Sequence, residues 1–224
     1  MTKSVKNKID LSVIILNYNS GDYLLKCLQS IATSKLSGYH VEVVVVDNAS
    51  TDNSLSLLKS EFKKLKNSLE FENWNLKIVP ISTNIGFAAG NNYGLQYLHP
   101  GSQLILFLNP DTIVEPDTLA KIIRFMKRHP QVDALTCDII HALTGRHQPE
   151  CHRGFPTPWR SFCHFTGLSR LAPKSKLLNG YFLGHLNLNQ THQIEACVGA
   201  FLLVRRKVGD DIGWWNEKYF FYGE

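Results

Sequence analysis

The chain has 224 residues, 44% of them hydrophobic, which is enough for one well-buried domain or a domain with a small subdomain and argues against a disordered chain. Its formal charge of +5 is spread along the sequence without a basic block, which gives no footing for nucleic-acid binding and suits an anionic ligand or an acidic membrane surface. No run of about 18 apolar residues could span a bilayer, and Leu11 to Leu16 is too short for a signal-peptide core, so a cytoplasmic location is expected. Five cysteines without regular spacing fit free thiols, and the pairs Cys151-His152 and Cys163-His164 are poorly spaced for zinc.

The first predicted element is a buried strand, Leu11 to Leu16, which runs into the turn formers Asn17-Tyr18-Asn19-Ser20-Gly21. Leu24, Leu28 and Ile31 then recur at helical spacing, with Ser20 or Asp22 available as a cap. Val41 to Val46 repeats the pattern, followed by the loop Asp47 to Asp52 and a helix marked by Leu55, Leu58, Phe62 and Leu65. A third strand, Leu76 to Ile81, leads through Asn84 to Asn92 into a short helix containing Leu95 and Leu98. A fourth, Leu104 to Leu108, ends at Asn109-Pro110-Asp111, after which Pro116 opens a helix with the stripe Leu119, Ile122, Ile123 and Met126, stopped by His129-Pro130.

Strands apolar on both faces and alternating with helices predict an α/β fold, a doubly wound, mostly parallel sheet with helices on both faces. From Ile139 to about Ile194 the rhythm fails, and it returns as a strand-like segment at Ala196 to Val204 before an aromatic end, Trp214 to Tyr222.

Ligands of open parallel sheets lie beyond the carboxyl ends of the strands, where loops diverge and helix N-termini point inward. Here those ends carry Asn17, Asp47, the Asn84 to Asn91 segment and Asp111. Asp47 and Asn48 could grip a pyrimidine edge or a ribose hydroxyl, although Asp-Asn-Ala-Ser-Thr-Asp also reads as a plain turn and helix cap. Gly86 and Gly90, with Ala88 and Ala89, would let a ligand approach the backbone at a helix start. Asp111 could ligate a hard divalent cation that clamps a diphosphate, and Glu224, after a dense aromatic cluster, could act as a general base. Each of the two also has a bland reading, as a turn and as a hydrophobic terminus.

Together, Ser12 to Ser20, Val46 to Asp52, Asn84 to Gly94, Leu108 to Thr112, Gly199 to Arg206 and Phe220 to Glu224 resemble the motifs of family 2 glycosyltransferases, in particular the branch with bacterial rhamnosyltransferases. The resemblance implies a GT-A-like Rossmann-type fold and inverting transfer from a nucleotide-diphospho-sugar, with dTDP-rhamnose the favoured donor. It also implies Mg2+ or Mn2+ as cofactor. By the same analogy Asp47 holds the base, Asp111 carries the metal, and Asn17, Asn48, Asn84, Gly86, Phe87, Gly90, Asn91 and Asn109 line the donor. The family's metal motif is often Asp-x-Asp; Asn109-Pro110-Asp111 offers one anionic ligand fewer, leaving more of the shell to diphosphate and water. In such enzymes an aspartate follows Phe-Tyr-Gly-Glu and resembles the catalytic base, so the resemblance implies either a shortened chain or Glu224 in that role.

The expectation is thus a single domain over 1–224, with about 10–138 binding the nucleotide-sugar and about 139–224 forming the acceptor side. The acceptor would be a glycan or a polyprenyl-diphosphate-linked one, in cell-surface polysaccharide synthesis at the inner face of the membrane. Trp159, Phe162, Phe165, Leu168 and Leu171 beside Arg160, Arg170, Lys174 and Lys176 would suit shallow contact with an anionic membrane. Their spacing of three drifts around a helix, so burial against the core is the leading expectation for them. The rival reading is a non-catalytic nucleotide-sugar-binding module.

Overall fold

The structure, a computed structural model, describes residues 9–68 and 74–221; Glu224, the expected base, lies outside the described residues. Four strand–helix units open the chain: β1 (Leu11–Asn17), α1 (Tyr23–Ala32), β2 (Val41–Asn48), α2 (Ser54–Ser68), β3 (Trp74–Ile81), α3 (Phe87–Leu95), β4 (Leu104–Leu108) and α4 (Thr118–Arg128). They are followed by β5 (Ala134–Leu135), α5 (Pro158–Phe165), α6 (Leu168–Leu171), β6 (Phe201–Arg205) and α7 (Arg206–Ile212). The sheet runs β3-β2-β1-β4-β6-β5, and its first four strands are parallel.

All eight residues of β2 and all five of β4 are buried, as expected of strands covered on both faces. Each Val or Leu so enclosed contributes about 1.5–3 kcal/mol relative to exposure. Near the amino end of β2 lies Glu42, a buried carboxylate that accepts hydrogen bonds from Ser12 Oγ at 2.5 Å and His99 N at 2.6 Å and pairs with Lys77 at 3.5 Å. It ties β1, β2 and β3 to the turn after α3, which is how a charge is tolerated there.

On one face, α3 lies very close to the sheet because it carries glycine where it meets it. A Cβ on Gly90 would stand 2.5 Å from Leu16 Cδ1, and one on Gly94 would stand 2.9 Å from Ile14. Helices α1 and α2 pack on each other, and right-handed crossovers put them on the face opposite α3, because the chain reverses direction across the sheet between β3 and β4.

The strand after the irregular region is shorter than expected, Phe201–Arg205 in place of Ala196 to Val204, and it is antiparallel to β4: Arg206 N donates to Gln103 O, beside the start of β4. It pairs with β5, an antiparallel partner of two residues that is too short to show a period. Arg205 donates to the carbonyls of Met126, His129 and Val132, capping the end of α4, and Arg206 donates to those of His99 and Ser102. Asp22 stands at the N-cap of α1, but its side chain makes no capping hydrogen bond and pairs instead with Lys26 at 2.6 Å, while Ser20 Oγ donates to Asn17 Oδ1.

The chain falls into two compact units, 1–135 with 203–224, and 136–202. The segment 203–221 therefore belongs with the sheet unit, whereas the sequence grouped it with the acceptor side. Within the second unit, Arg160 holds Glu195 through two hydrogen bonds, Nη1 to Oε2 at 2.5 Å and Nη2 to Oε1 at 3.0 Å. The guanidinium fills space that only glycine leaves open at Gly154, where a Cβ would stand 2.5 Å from Nη1.

Candidate functional site

The parallel strands end together. Asn17 is in register with Asp47, Asn48 with Ile81, and Ile15 with Leu108, so the tips of β1, β2, β3 and β4 share one rim of the sheet. The chain moves outward from β1 through β2 to β3 and then returns to β4 on the other side of β1, which makes the gap between the tips of β1 and β4 the switch point where open sheets bind ligands. The arrangement that joins Asp47, Gly86 and Asp111 on one side is therefore a direct result of strand order.

Much of the polar chemistry at this rim is internal. Asn17 Nδ2 faces Asp47 Oδ1 at 2.7 Å, Ser50 Oγ at 3.0 Å and Ser54 Oγ at 3.0 Å, while its Oδ1 accepts from Ser20. Asn19, at φ 50°, accepts from Thr51 N and Asp52 N, and Asp52 accepts from Gly21 N at 2.7 Å. These bonds lock the loop after β1 to the loop after β2, and they hold Ala49 at φ 62°, a conformation costing about 1 kcal/mol or more for a residue with a Cβ. Sequence reasoning passed over Asn19 and Asp52, although both stand in the turn-former clusters that it noticed.

Asn48 is engaged in the same way. Its Nδ2 donates to Asn84 Oδ1 at 2.8 Å and Gly86 O at 3.2 Å, and its Oδ1 accepts from Ile85 N at 3.0 Å. What Asn48 does here is hold the loop between β3 and α3. Asn91, buried, donates to Phe87 O within its own helix, and Gly90 faces Leu16, so both are turned to the fold and not toward a ligand.

Gly86 also departs from its expected reason. At φ 89° it takes a conformation suited to glycine, and an added Cβ would meet Phe220 O at 2.7 Å. The close approach is by the chain's own returning segment. Phe87 N donates to Phe220 O at 2.8 Å, the Phe87 ring meets Trp215 edge-on at 5.3 Å and Phe221 at 6.4 Å, and Phe107 meets both Trp214 and Trp215. Asn92 secures the same strap, donating to Trp215 O at 2.9 Å and Glu217 Oε1 at 2.8 Å and accepting from Trp215 N at 3.2 Å. Nothing local distinguished Asn92 from Asn91 in the sequence, because its partners lie more than 120 positions away.

Four polar groups at the rim make no hydrogen bond with the described residues: the second carboxylate oxygen of Asp47, Nδ2 of Asn84, the side-chain amide of Asn109 and the carboxylate of Asp111. Asp111 is exposed in a turn fixed by Thr112 N to Asn109 O at 3.2 Å and Val114 N to Ser30 Oγ at 3.0 Å. Burial pushes the neighbouring Cys27 thiol up to about 12, with the Asp111 charge adding to the rise, so Cys27 is an inert core thiol. No cluster of three or more metal-ligating side chains exists among the described residues. A hard cation suits this rim only as one that takes a single carboxylate from the chain and the rest of its oxygen shell from a bound diphosphate and water, as Mg2+ does in many phosphate sites.

The sequence profile described as Glycosyl transferase family 2 matches residues 12–213. The Staphylococcus aureus poly(ribitol-phosphate) beta-N-acetylglucosaminyltransferase TarS is 31% identical over 118 residues, covering 53% of this chain and 19% of its own length. The minor teichoic acid biosynthesis protein GgaB of Bacillus subtilis is 28% identical over 141 residues, 62% of this chain and 15% of its own length. The chain thus spans less than a fifth of each of these relatives. The structure of S. aureus TarS with UDP-GlcNAc superposes with a TM-score of 0.50 at 30% identity, covering 63% of this chain and 37% of that one. A Pyrobaculum calidifontis mannosyltransferase solved with GDP-Man and Mn2+ gives 0.57 at 18% identity over 95% of this chain and 49% of that one, a likeness of fold alone. The architecture is the expected GT-A-like one.

Proposed function

The chain belongs to glycosyl transferase family 2, and from that premise we propose that it carries the donor-binding part of an inverting glycosyltransferase acting in cell-surface polymer synthesis. The observation behind this reading is the convergence of unpartnered polar groups from Asp47, Asn84, Asn109 and Asp111 on one rim, framed by residues whose own groups are internally satisfied. In that reading Asp47 and Asn84 meet the base and ribose, and Asn109 meets the diphosphate. Asn17 and Asn48 position these groups, Gly90 and Asn91 hold α3 within the fold, and Gly86 and Phe87 seat the returning strap beside the donor.

Asp111 is the residue that would hold Mg2+ or Mn2+, whose charge would offset that developing on the departing nucleotide diphosphate. Glu224, three residues after Phe221, is the proposed proton acceptor for the attacking hydroxyl. TarS is named an N-acetylglucosaminyltransferase and binds UDP-GlcNAc in its structure, so a UDP-hexose or UDP-N-acetylhexosamine takes precedence over dTDP-rhamnose as the donor. The proposed acceptor is a polyol-phosphate, in keeping with the poly(ribitol-phosphate) in the name of TarS, or a lipid-linked glycan, met at the cytoplasmic membrane face.

Incubating the chain with a panel of UDP-, GDP- and dTDP-sugars and candidate acceptors, with mass detection of products, tests the reading. Transfer is expected with one donor class, and Asp111→Ala is expected to lower the rate about 100-fold or more. Full turnover by Asp111→Ala without a divalent cation would remove the metal role. Donor binding without transfer to any acceptor would favour the binding-module reading.

A further inference from the structure

Between Glu150 and Glu195 the chain contains no Asp or Glu, while it carries Arg153, Arg160, Arg170, Lys174 and Lys176. Glu195, at the far end of that stretch, is taken by Arg160. Arg170 and Lys174 are exposed and form no ion pair among the described residues, and Lys176 does no more than add a distant pull on Glu195. The stretch between Glu150 and Glu195 therefore presents positive charge that no carboxylate within it neutralises.

The same stretch is unusually apolar on the outside. The core position expected for its aromatic residues is not where they are: in α5 only Cys163 is buried, and Phe162 is 52% exposed, Phe165 79%, Leu171 78% and Leu177 66%. The Trp159 indole donates to Leu177 O at 3.1 Å and stacks on Phe162 at 5.8 Å, and α5 packs on α6, which carries Leu171 and Arg170. The scaffold beneath is stiff, since Thr157 caps α5 at Arg160 N and Gly154 and Gly180 enclose the Arg160 guanidinium.

We propose that the α5–α6 surface, with Trp159, Phe162, Phe165, Leu171 and Leu177 as the apolar part and Arg170 and Lys174 as the charged part, seats the protein on an anionic lipid bilayer. Exposed aliphatic side chains gain nothing from a soluble polyanion, but they are stabilised in the headgroup–acyl boundary, where aromatic rings also accumulate. Cations flanking them gain from the negative potential of the leaflet. The lack of any carboxylate in the intervening 44 residues is what charge complementarity to such a surface requires. Neither part depends on sugar transfer, so the inference is tested apart from it.

The experiment is flotation of the full chain with vesicles of equimolar phosphatidylglycerol and phosphatidylcholine, against vesicles of phosphatidylcholine alone. Binding to the anionic vesicles is expected, with partition onto neutral ones weaker by roughly tenfold or more. Arg170→Gln with Lys174→Gln is expected to reduce partition onto anionic vesicles by roughly tenfold or more, and to weaken its salt dependence. Phe165→Ser with Leu171→Ser, both at exposed positions, is expected to reduce partition onto both vesicle types roughly tenfold with unfolding unchanged. Absence of flotation would overturn the proposal, as would equal partition of the wild type onto both vesicle types. Binding to soluble polyphosphate as tight as to vesicles, and indifferent to Phe165→Ser, would instead make the surface a polyanion site and overturn the bilayer reading.

Discussion

Two glycines of one short segment serve different ends. Gly90 lies where α3 presses on β1, and a methyl there would be driven into Leu16 at 2.5 Å; Gly86 has φ 89° and lies under the backbone of Phe220. Gly90→Ala is expected to cost about 1–3 kcal/mol of stability by overpacking, read from urea unfolding, while leaving donor affinity near wild type. Gly86→Ala is expected to act on the strap: donor affinity measured by calorimetry should fall more than stability does. If Gly90→Ala instead abolished donor binding in a fully stable protein, the packing reason for that glycine would fail. Both glycines were visible in the sequence as a small-residue cluster at a helix start, but which surface each one faced was not, because Leu16 and Phe220 are far from them in the chain.

At the level of elements, the second unit is organised by Arg160 more than by regular structure. The Glu195 carboxyl, ordinarily near 4.5, is held at about 2 by its bonds to the Arg160 guanidinium and to Phe155 N. A carboxyl depressed in the folded state stabilises it above the unfolded value and loses that contribution as the pH falls through the folded one. The stability gap between the wild type and Glu195→Gln is therefore expected to be present at neutral pH, to shrink below about 4.5 and to vanish near about 2. Acid unfolding followed by circular dichroism checks this; a gap independent of pH would show that the pair contributes only through shape. The cysteines, expected as free thiols, fit the same picture of a unit held by packing, with Cys137 pushed up to about 11, and Cys151 and Cys197 also pushed up, chiefly by burial.

For the whole molecule, the proposed donor site lies in the sheet unit, because the tips of β1, β2, β3 and β4 and the strap over Phe87 all belong to it. A nucleotide-sugar bound there and present at about 100 times its dissociation constant is expected to raise stability by roughly 2.7 kcal/mol, visible as a thermal shift. The shift should survive Glu195→Gln, which alters the second unit, and should diminish in a variant lacking the Asp47 carboxylate. A panel in which no nucleotide-sugar shifts the transition would remove the donor-site reading.

The order of strands and helices, the burial of β2 and β4 and the carboxyl-terminal position of Asp47, Asn84 and Asp111 could all be read from the chain alone, because each follows from periodicity and turn chemistry within a window of a few residues. The reversal that puts β4 beside β1, the antiparallel β5–β6 pair and the division of rim residues into those bonded internally and those left open were decided by tertiary structure. Those properties rest on pairings such as Asn17 with Asp47 and Asn92 with Trp215, whose partners lie 30 and 123 positions apart and leave no local trace.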